Sequence, residues 1–317
     1  MKNLENEIFL SIVIPVYNSE KTIELVVEKI RKVLSDRLTY EIILVNDGSK
    51  DNSYHKCKTL SEKYNYVKFI NLSKNFGQHN AILAALHFVN GSYIAFMDDD
   101  IQTRSEEIWK LVDKIKEGYD VVYANYTDKK HNFFKKFGSI INNIMASILL
   151  GKPKNIKITS YFIIKKYLVD EIVSYAGPYP YLGGLIFRST DNIGTVDVIH
   201  NKRLYGQSNY SFISLFKLWV NGFTNFSVKP LRISFFVGTI CSLVGFIFSM
   251  IFIIRKIIDP QVVLGWTSII VAILLFSGIQ LILIGLVGEY VGRIFLSQNK
   301  QPQYVIKEKY NIENNKG

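Results

Sequence analysis

Apolar and polar positions alternate between two periods over the first 125 residues. Phe9 to Ile14 is apolar almost throughout and predicts a buried strand; in Glu20 to Leu34 the residues Ile23, Val26, Val27, Ile30, Val33 and Leu34 return at helical spacing. Glu41 to Val45 predicts a second strand, closed by the turn-forming Asn46, Asp47, Gly48 and Ser49. A polar helix from Asp51 to Tyr64 leads to a third strand at Val67 to Asn71. A helix around Asn80 to Val89, a strand at Tyr93 to Met97, a helix at Ser105 to Glu117 and a strand at Asp120 to Tyr123 repeat the pattern. Strands separated by helices of this length predict an α/β architecture, a parallel sheet covered on both faces.

The period disappears toward the C-terminus. Ile233 to Ile254 is a run of 22 residues without a formal charge and Val262 to Val287 one of 26. Each is long enough to cross a hydrocarbon core as a helix. Ahead of them, Phe133, Phe134, Phe137, Ile140, Ile141, Ile144, Met145, Ile148 and Leu149 recur at helical spacing, as do Phe212, Leu215, Phe216, Trp219, Val220 and Phe223. Such stripes form ordinary core or lie in the headgroup layer, and their aromatic content, lysines and closeness to the spans favour the second. The chain thus divides into an α/β domain over 1–208 with an interfacial helix near 133–150, a juxtamembrane helix over 209–230, a two-helix hairpin over 231–290 and a tail over 291–317.

Charge sharpens this picture. The chain carries 38 Lys and Arg against 27 Asp and Glu, a net +11. Nine lysines and no acid lie between Lys129 and Lys166. Beside membrane helices, such a face attracts anionic headgroups or lipid phosphates; no nucleic-acid motif accompanies it. The only cysteines, Cys57 and Cys241, provide neither a disulfide framework nor a thiolate metal site. The apolar run at Ile8 to Ile14 is broken too early by Pro15 to act as a signal peptide.

In a parallel sheet, ligands bind beyond the carboxyl ends of the strands. Tyr17 and Asn18, Asp47, Asn75 to Gln78 and Asp98 to Gln102 all fall there, so four strand ends converge on one cleft. The sharpest feature is Asp98-Asp99-Asp100-Ile101-Gln102, directly after an apolar strand. Carboxylates emerging together repel one another unless a cation or bound donors relieve them. Oxygen donors without His or Cys favour Mg²⁺ or Mn²⁺ over zinc. Such an ion bridges a diphosphate and stabilises its charge as it leaves. G-x-G-x-x-G after the first strand, a P-loop and G-x-S-x-G are all missing, which argues against dinucleotide dehydrogenases, P-loop enzymes and α/β-hydrolases.

Ile12 to Asn18 (IVIPVYN), Val45 to Asp51 (VNDGSKD), Asn75 to Gln78 (NFGQ) and Asp98 to Gln102 (DDDIQ) together resemble the inverting family 2 glycosyltransferases of GT-A (Rossmann-like) fold. Within that family, Arg203 to Tyr210, Pro230 to Arg232 and Gly288 to Arg293 resemble the bacterial polyprenyl-phosphate glycosyltransferases, relatives of dolichyl-phosphate mannose synthase with two C-terminal spans. The resemblance implies a nucleotide-sugar donor, with uracil as the expected base, and an undecaprenyl-type phosphate acceptor. It implies that Pro15, Tyr17, Asn18 and Glu20 line the nucleotide pocket with Asn75, Gly77 and Gln78, and that Asp47 bonds the base. Asp98 and Asp100, the expected catalytic carboxylates, would hold the metal together with Gln102. Lys135, Ser139, Arg203 and Ser208 would meet the acceptor phosphate.

Relatives often carry an acid in the segment corresponding to Thr159, Ser160 and Tyr161; this chain has none there. A phosphate monoester has its second pKa near 6, so much of the acceptor is already dianionic at neutral pH and no residue is assigned as base. Two spans return the chain to the side it left, and nucleotide sugars are cytoplasmic. The expectation is therefore a multi-pass protein of a bacterial-type inner membrane with its catalytic domain in the cytoplasm. Two alternatives stay open: a polysaccharide-extending enzyme, although Gln-x-x-Arg-Trp is missing, and an inactive nucleotide-binding scaffold. The sequence does not decide between a monomer and a homo-oligomer.

Overall fold

β1 (Leu10–Val16) is the middle of the structure because nearly every side chain in it is apolar: Leu10, Ile12, Val13, Ile14 and Val16 are all fully buried. It pairs in parallel with β2 (Tyr40–Asn46) on one side and β4 (Tyr93–Phe96) on the other, and β2 pairs in parallel with β3 (Val67–Leu72). Pro15 is tolerated in this central strand because pairing with β4 stops at Val13, one turn of the pleat earlier. α1 (Ile23–Leu34) buries Ile23, Val26, Val27, Ile30 and Leu34 on one face. At roughly 1.5–3 kcal/mol for each large apolar side chain, that stripe outweighs the weak helix propensity of its β-branched residues. α2 (Ser53–Lys63), α3 (Gln78–Leu86) and α4 (Ile108–Lys116, after a 3₁₀ turn at Ser105–Glu107) complete the expected alternation.

The computed structural model describes residues 8–35, 37–126, 156–175, 177, 180–199, 229–258, 265–299 and 302–312. They belong to two units, Met1–Phe216 with Gln301–Gly317, and Lys217–Lys300. The expected headgroup-layer helices near 133–150 and 209–230 lie outside the described residues, except for the last two positions of the second.

The sheet is mixed where a parallel one was expected. It has eight strands in the order β7-β5-β6-β4-β1-β2-β3-β8, in which β5 is Val121–Tyr126, β6 Phe162–Lys165, β7 Ile193–Val198 and β8 Ile306–Tyr310. β6 enters antiparallel between β4 and β5, and Phe162 stacks on Phe96 with ring centroids 4.4 Å apart. Strands of four residues carry too little periodicity to announce themselves, and this one is placed by its partners. α5 (Tyr167–Val173) and α6 (Leu182–Ser189) follow β6.

β8 comes from the tail. It pairs antiparallel with β3, from Phe69↔Tyr310 to Leu72↔Ile306, and Tyr310 stacks on Phe69 at 5.6 Å. Asn311, at φ 54°, turns its amide onto the carbonyls of Ser61, Tyr64 and Val67. Gln303 donates to the carbonyls of Tyr175 and Gly177. The segment is thus pinned at both ends.

In the other unit, α7 (Lys229–Ile258) and α8 (Trp266–Gln298) are single helices of 30 and 33 residues. Pro230 sits in the first turn of α7, where its missing N–H has no helical acceptor. The backbone of Arg255 and Lys256 forms part of the last turn of α7. Among the described residues one stretch, Phe276–Gln298, is long and apolar enough to cross a membrane, with mean hydropathy 1.7; the apolar part of α7, Ser234–Phe248, is shorter. Near the end of α8, Arg293 and Glu289 pair one turn apart at 2.5 Å.

Candidate active site

The loops beyond β1, β2, β3 and β4 are stitched into a ring. The β1–β2 register ends at Val16↔Asn46, and the Asp47 N–H donates to the Val16 carbonyl at 2.9 Å, so Tyr17 and Asp47 leave the sheet side by side. Asn18 adopts φ 54°, a left-handed conformation that asparagine accepts more readily than most residues. From there its N–H donates to Ser49 Oγ at 3.0 Å and its Oδ1 accepts from the Lys50 N–H at 2.8 Å. Glu20 and the next loop clasp each other: the Glu20 N–H donates to Asp51 Oδ2 at 3.1 Å and Glu20 Oε2 accepts from the Asn52 N–H at 3.0 Å. The side chains of Asn18 and Glu20, expected in a nucleotide pocket, thus also hold its wall together.

Asp47 is the second stitch. Its carboxylate accepts the Phe76 N–H at 2.7 Å and the Gly77 N–H at 2.9 Å, drawing the loop after β3 across the end of β2. Burial raises its pKa more than the two backbone donors lower it. Gly48 follows at φ 65°, and a Cβ there would lie 2.5 Å from the Lys74 carbonyl carbon and the Asn75 nitrogen. Gly48→Ala is expected to cost about 1–3 kcal/mol, from left-handed strain and displacement of this loop, and to weaken nucleotide binding. Thermal unfolding and nucleotide titration check both effects. Gly77 has φ 91° with open space where a side chain would be, a bare stretch of backbone at the start of α3 that a ligand can approach.

The three acids after β4 are not equivalent. Asp99 turns inward: its Oδ2 accepts from the Tyr17 N–H at 3.0 Å and from the Ser19 hydroxyl, while its carbonyl accepts from Thr22 Oγ1 at 2.7 Å. Burial pushes its carboxyl up to about 6, against those donors and with help from the neighbouring acids. All three acids are partly buried, and it is their partners that set Asp98 and Asp100 apart from Asp99. Asp98 Oδ1 accepts from Gln78 Nε2 at 3.2 Å and its Oδ2 from the Ser160 hydroxyl. Asp100 Oδ1 accepts from the Gln102 N–H at 3.1 Å, a local turn that holds these two expected ligands together. The donors present, carboxylate and amide oxygens with no sulfur or imidazole among them, suit a hard divalent cation.

Pro15, Tyr17, Asn18, Glu20, Asp47, Asn75, Gly77, Gln78, Asp98, Asp100 and Gln102 all lie at these strand ends. Lys135, Ser139, Arg203 and Ser208 lie outside the described residues. Sequence reasoning passed over Ser19, and it named Asp99 and Ser160 within their segments without giving either a role of its own. Asp99 is told apart from Asp98 and Asp100 by its long-range partners Tyr17, Ser19 and Thr22, and Ser160 reaches the site from just before β6.

Comparison with known proteins agrees with this geometry. A family model described as glycosyl transferase family 2 matches residues 11–173, and a second, the GtrB C-terminal hairpin, matches 229–294. An uncharacterised glycosyltransferase of Bacillus subtilis, YkcC, is 34% identical over 98% of this chain and 97% of its own. An undecaprenyl-phosphate 4-deoxy-4-formamido-L-arabinose transferase of Proteus mirabilis is 32% identical over 94% and 93%. Among solved structures, glucosyl-3-phosphoglycerate synthase of Mycobacterium tuberculosis, in complex with Mn²⁺, UDP-glucose and phosphoglyceric acid, superposes with a TM-score of 0.53. That match, at 17% identity over 68% of this chain and 77% of the other, shows a shared GT-A fold. With its family model spanning the whole ring of loops, the chain belongs to glycosyl transferase family 2.

Proposed function

We propose that this glycosyltransferase moves a sugar from a uridine-diphosphate donor to a polyprenyl phosphate at the cytoplasmic face of a membrane, with inversion and with help from Mg²⁺ or Mn²⁺. The observation that carries the reading is the pair Asp98 and Asp100 at the mouth of the stitched ring, each held by a neighbouring donor. The acceptor is supported by the Proteus mirabilis relative, named for undecaprenyl phosphate, and by the matching hairpin model.

In this reading Pro15, Tyr17, Asn18, Glu20 and Asp47 surround the nucleoside, and Asn75, Gly77 and Gln78 border the sugar diphosphate. Asp98, Asp100 and Gln102 would hold the cation, whose chemistry is to neutralise charge on the departing diphosphate. An acceptor phosphate oxygen attacks the anomeric carbon as the bond to the diphosphate oxygen breaks, so the dianionic acceptor needs no proton removed. The protein's part is alignment and electrostatic support. Lys135, Ser139, Arg203 and Ser208 are the proposed contacts of the lipid phosphate.

Two membrane crossings are supported by β8. A chain that returns to pair with β3 after the hairpin must cross the bilayer an even number of times, so a crossing by Phe276–Gln298 calls for another. The 30 residues of α7 exceed the roughly 20 that a span needs.

Full-length protein in detergent, given nucleotide sugars, polyprenyl phosphate and Mn²⁺, is expected to release nucleoside diphosphate only when the lipid phosphate is present. Release that ignores the lipid would remove the acceptor. Nucleotide binding without turnover on any donor would favour a scaffold.

A further inference from the structure

Both oxygens of Asp98 are engaged, and by different parts of the fold. Gln78, the first residue of α3, holds Oδ1; Ser160, just before β6, donates to Oδ2. Ser160 is itself rigidly set. The single Thr159 hydroxyl proton is shared between the carbonyls of Ala124 and Tyr161, each 3.0 Å from Oγ1, and the Ala124 N–H donates to the Tyr161 carbonyl at 3.0 Å, clamping the segment to β5. Tyr161 is fully buried beside it. The Tyr126 hydroxyl hydrogen-bonds Ser160 and Thr103, and burial, with Asp98 and Asp100 nearby, pushes it up to about 12, so it keeps its proton.

We infer that Ser160 is a positioning residue: its hydroxyl, fixed by β5 and Tyr126, orients the Asp98 carboxylate for the cation that Asp98 and Asp100 receive. This rests on the metal-dependent reading above. A hydroxyl suits the place because it donates. A second carboxylate against Asp98 would repel it, whereas a serine steadies the anion and leaves each Asp98 oxygen with lone pairs for the metal. A hydrogen bond to an ionised group is also stronger than a neutral one, and it restrains the direction of the lone pairs as well as their charge. The antiparallel entry of β6 into the sheet is what brings this hydroxyl, 62 positions away in sequence, to the end of β4.

The test uses full-length protein in detergent and follows UDP binding by calorimetry across a Mn²⁺ titration. In Ser160→Ala, the Mn²⁺ concentration for half-maximal enhancement of UDP binding is expected to rise about tenfold, the size of a lost hydrogen bond to a charged group. Metal-free UDP affinity and melting temperature should stay at the wild-type values, and Ser160→Thr, which keeps the hydroxyl, should restore the Mn²⁺ response. If Ser160→Ala matches wild type while Asp100→Ala has lost the response, the positioning role is overturned and the metal reading stands. Equal loss of metal-free UDP binding, or a lowered melting temperature that tracks the Mn²⁺ effect, marks a structural role and overturns the inference. Wild-type UDP affinity indifferent to Mn²⁺ overturns the inference together with the reading beneath it.

Discussion

Asp100→Ala is expected to lower turnover about a thousandfold while the protein still folds and still partitions with the membrane. In the proposed mechanism, removing one carboxylate from Asp98 and Asp100 would leave the cation with too few anionic donors, and the departing diphosphate would carry its charge almost unsupported. The loss of a single preorganised electrostatic contact typically costs a factor of 10²–10³, and a metal supplies more than one such contact. The fold should be little affected, because Asp100 is only partly buried and accepts the nearby Gln102 N–H within a local turn. Asp99→Ala should behave differently, since Asp99 ties Tyr17, Ser19 and Thr22 to the end of β4. Activity of Asp100→Ala within a few-fold of wild type, measured as nucleoside diphosphate release with lipid phosphate present, would remove the metal role.

Deleting residues 302–317 is expected to destabilise the catalytic domain by at least about 3 kcal/mol and to make it associate. The loss combines the stacking of Tyr310 on Phe69, the β3–β8 hydrogen bonds and the two N–H groups that the Asn311 amide shares among the carbonyls of Ser61, Tyr64 and Val67. Burial of an aromatic ring and hydrogen bonds of roughly 1 kcal/mol each reach that figure without further terms. The newly bare edge of β3, which carries Phe69, Ile70, Asn71 and Leu72, then offers unpaired backbone groups to another molecule. Thermal unfolding and light scattering in detergent test this. A truncated protein that stays monodisperse with an unchanged melting temperature would show that β8 is dispensable. The charged residues of β8, Lys307, Glu308 and Lys309, suit its position as an outer strand, where lysine discourages further pairing.

The first half of the fold was legible because each element there carries its own period. The apolar run of β1, the 3.6-residue stripe of α1 and the turn at Asn46 to Ser49 are local signals, and the structure reproduces them within a few residues. The acids after β4 were legible for the same reason: they sit where an apolar strand stops. β6 is four residues long and β7 only partly buried, and β8 reads as a charged tail. None of these contains enough periodicity to specify a strand, and each is stabilised by a partner far away in the chain.

What the sequence by itself determined is the α/β class, the cluster at the strand ends, the family and the apolar character of the last third. What only the tertiary structure decided is the mixed order of the sheet, the use of the tail as its outer strand, the inward turn of Asp99 and the hold of Ser160 on Asp98. The division has one physical cause. Hydrophobic period and turn chemistry act between neighbours in sequence, whereas strand pairing and side-chain hydrogen bonds such as Ser160 to Asp98, 62 positions apart, and Tyr54 to Glu308, 254 apart, depend on where the folded chain brings distant residues.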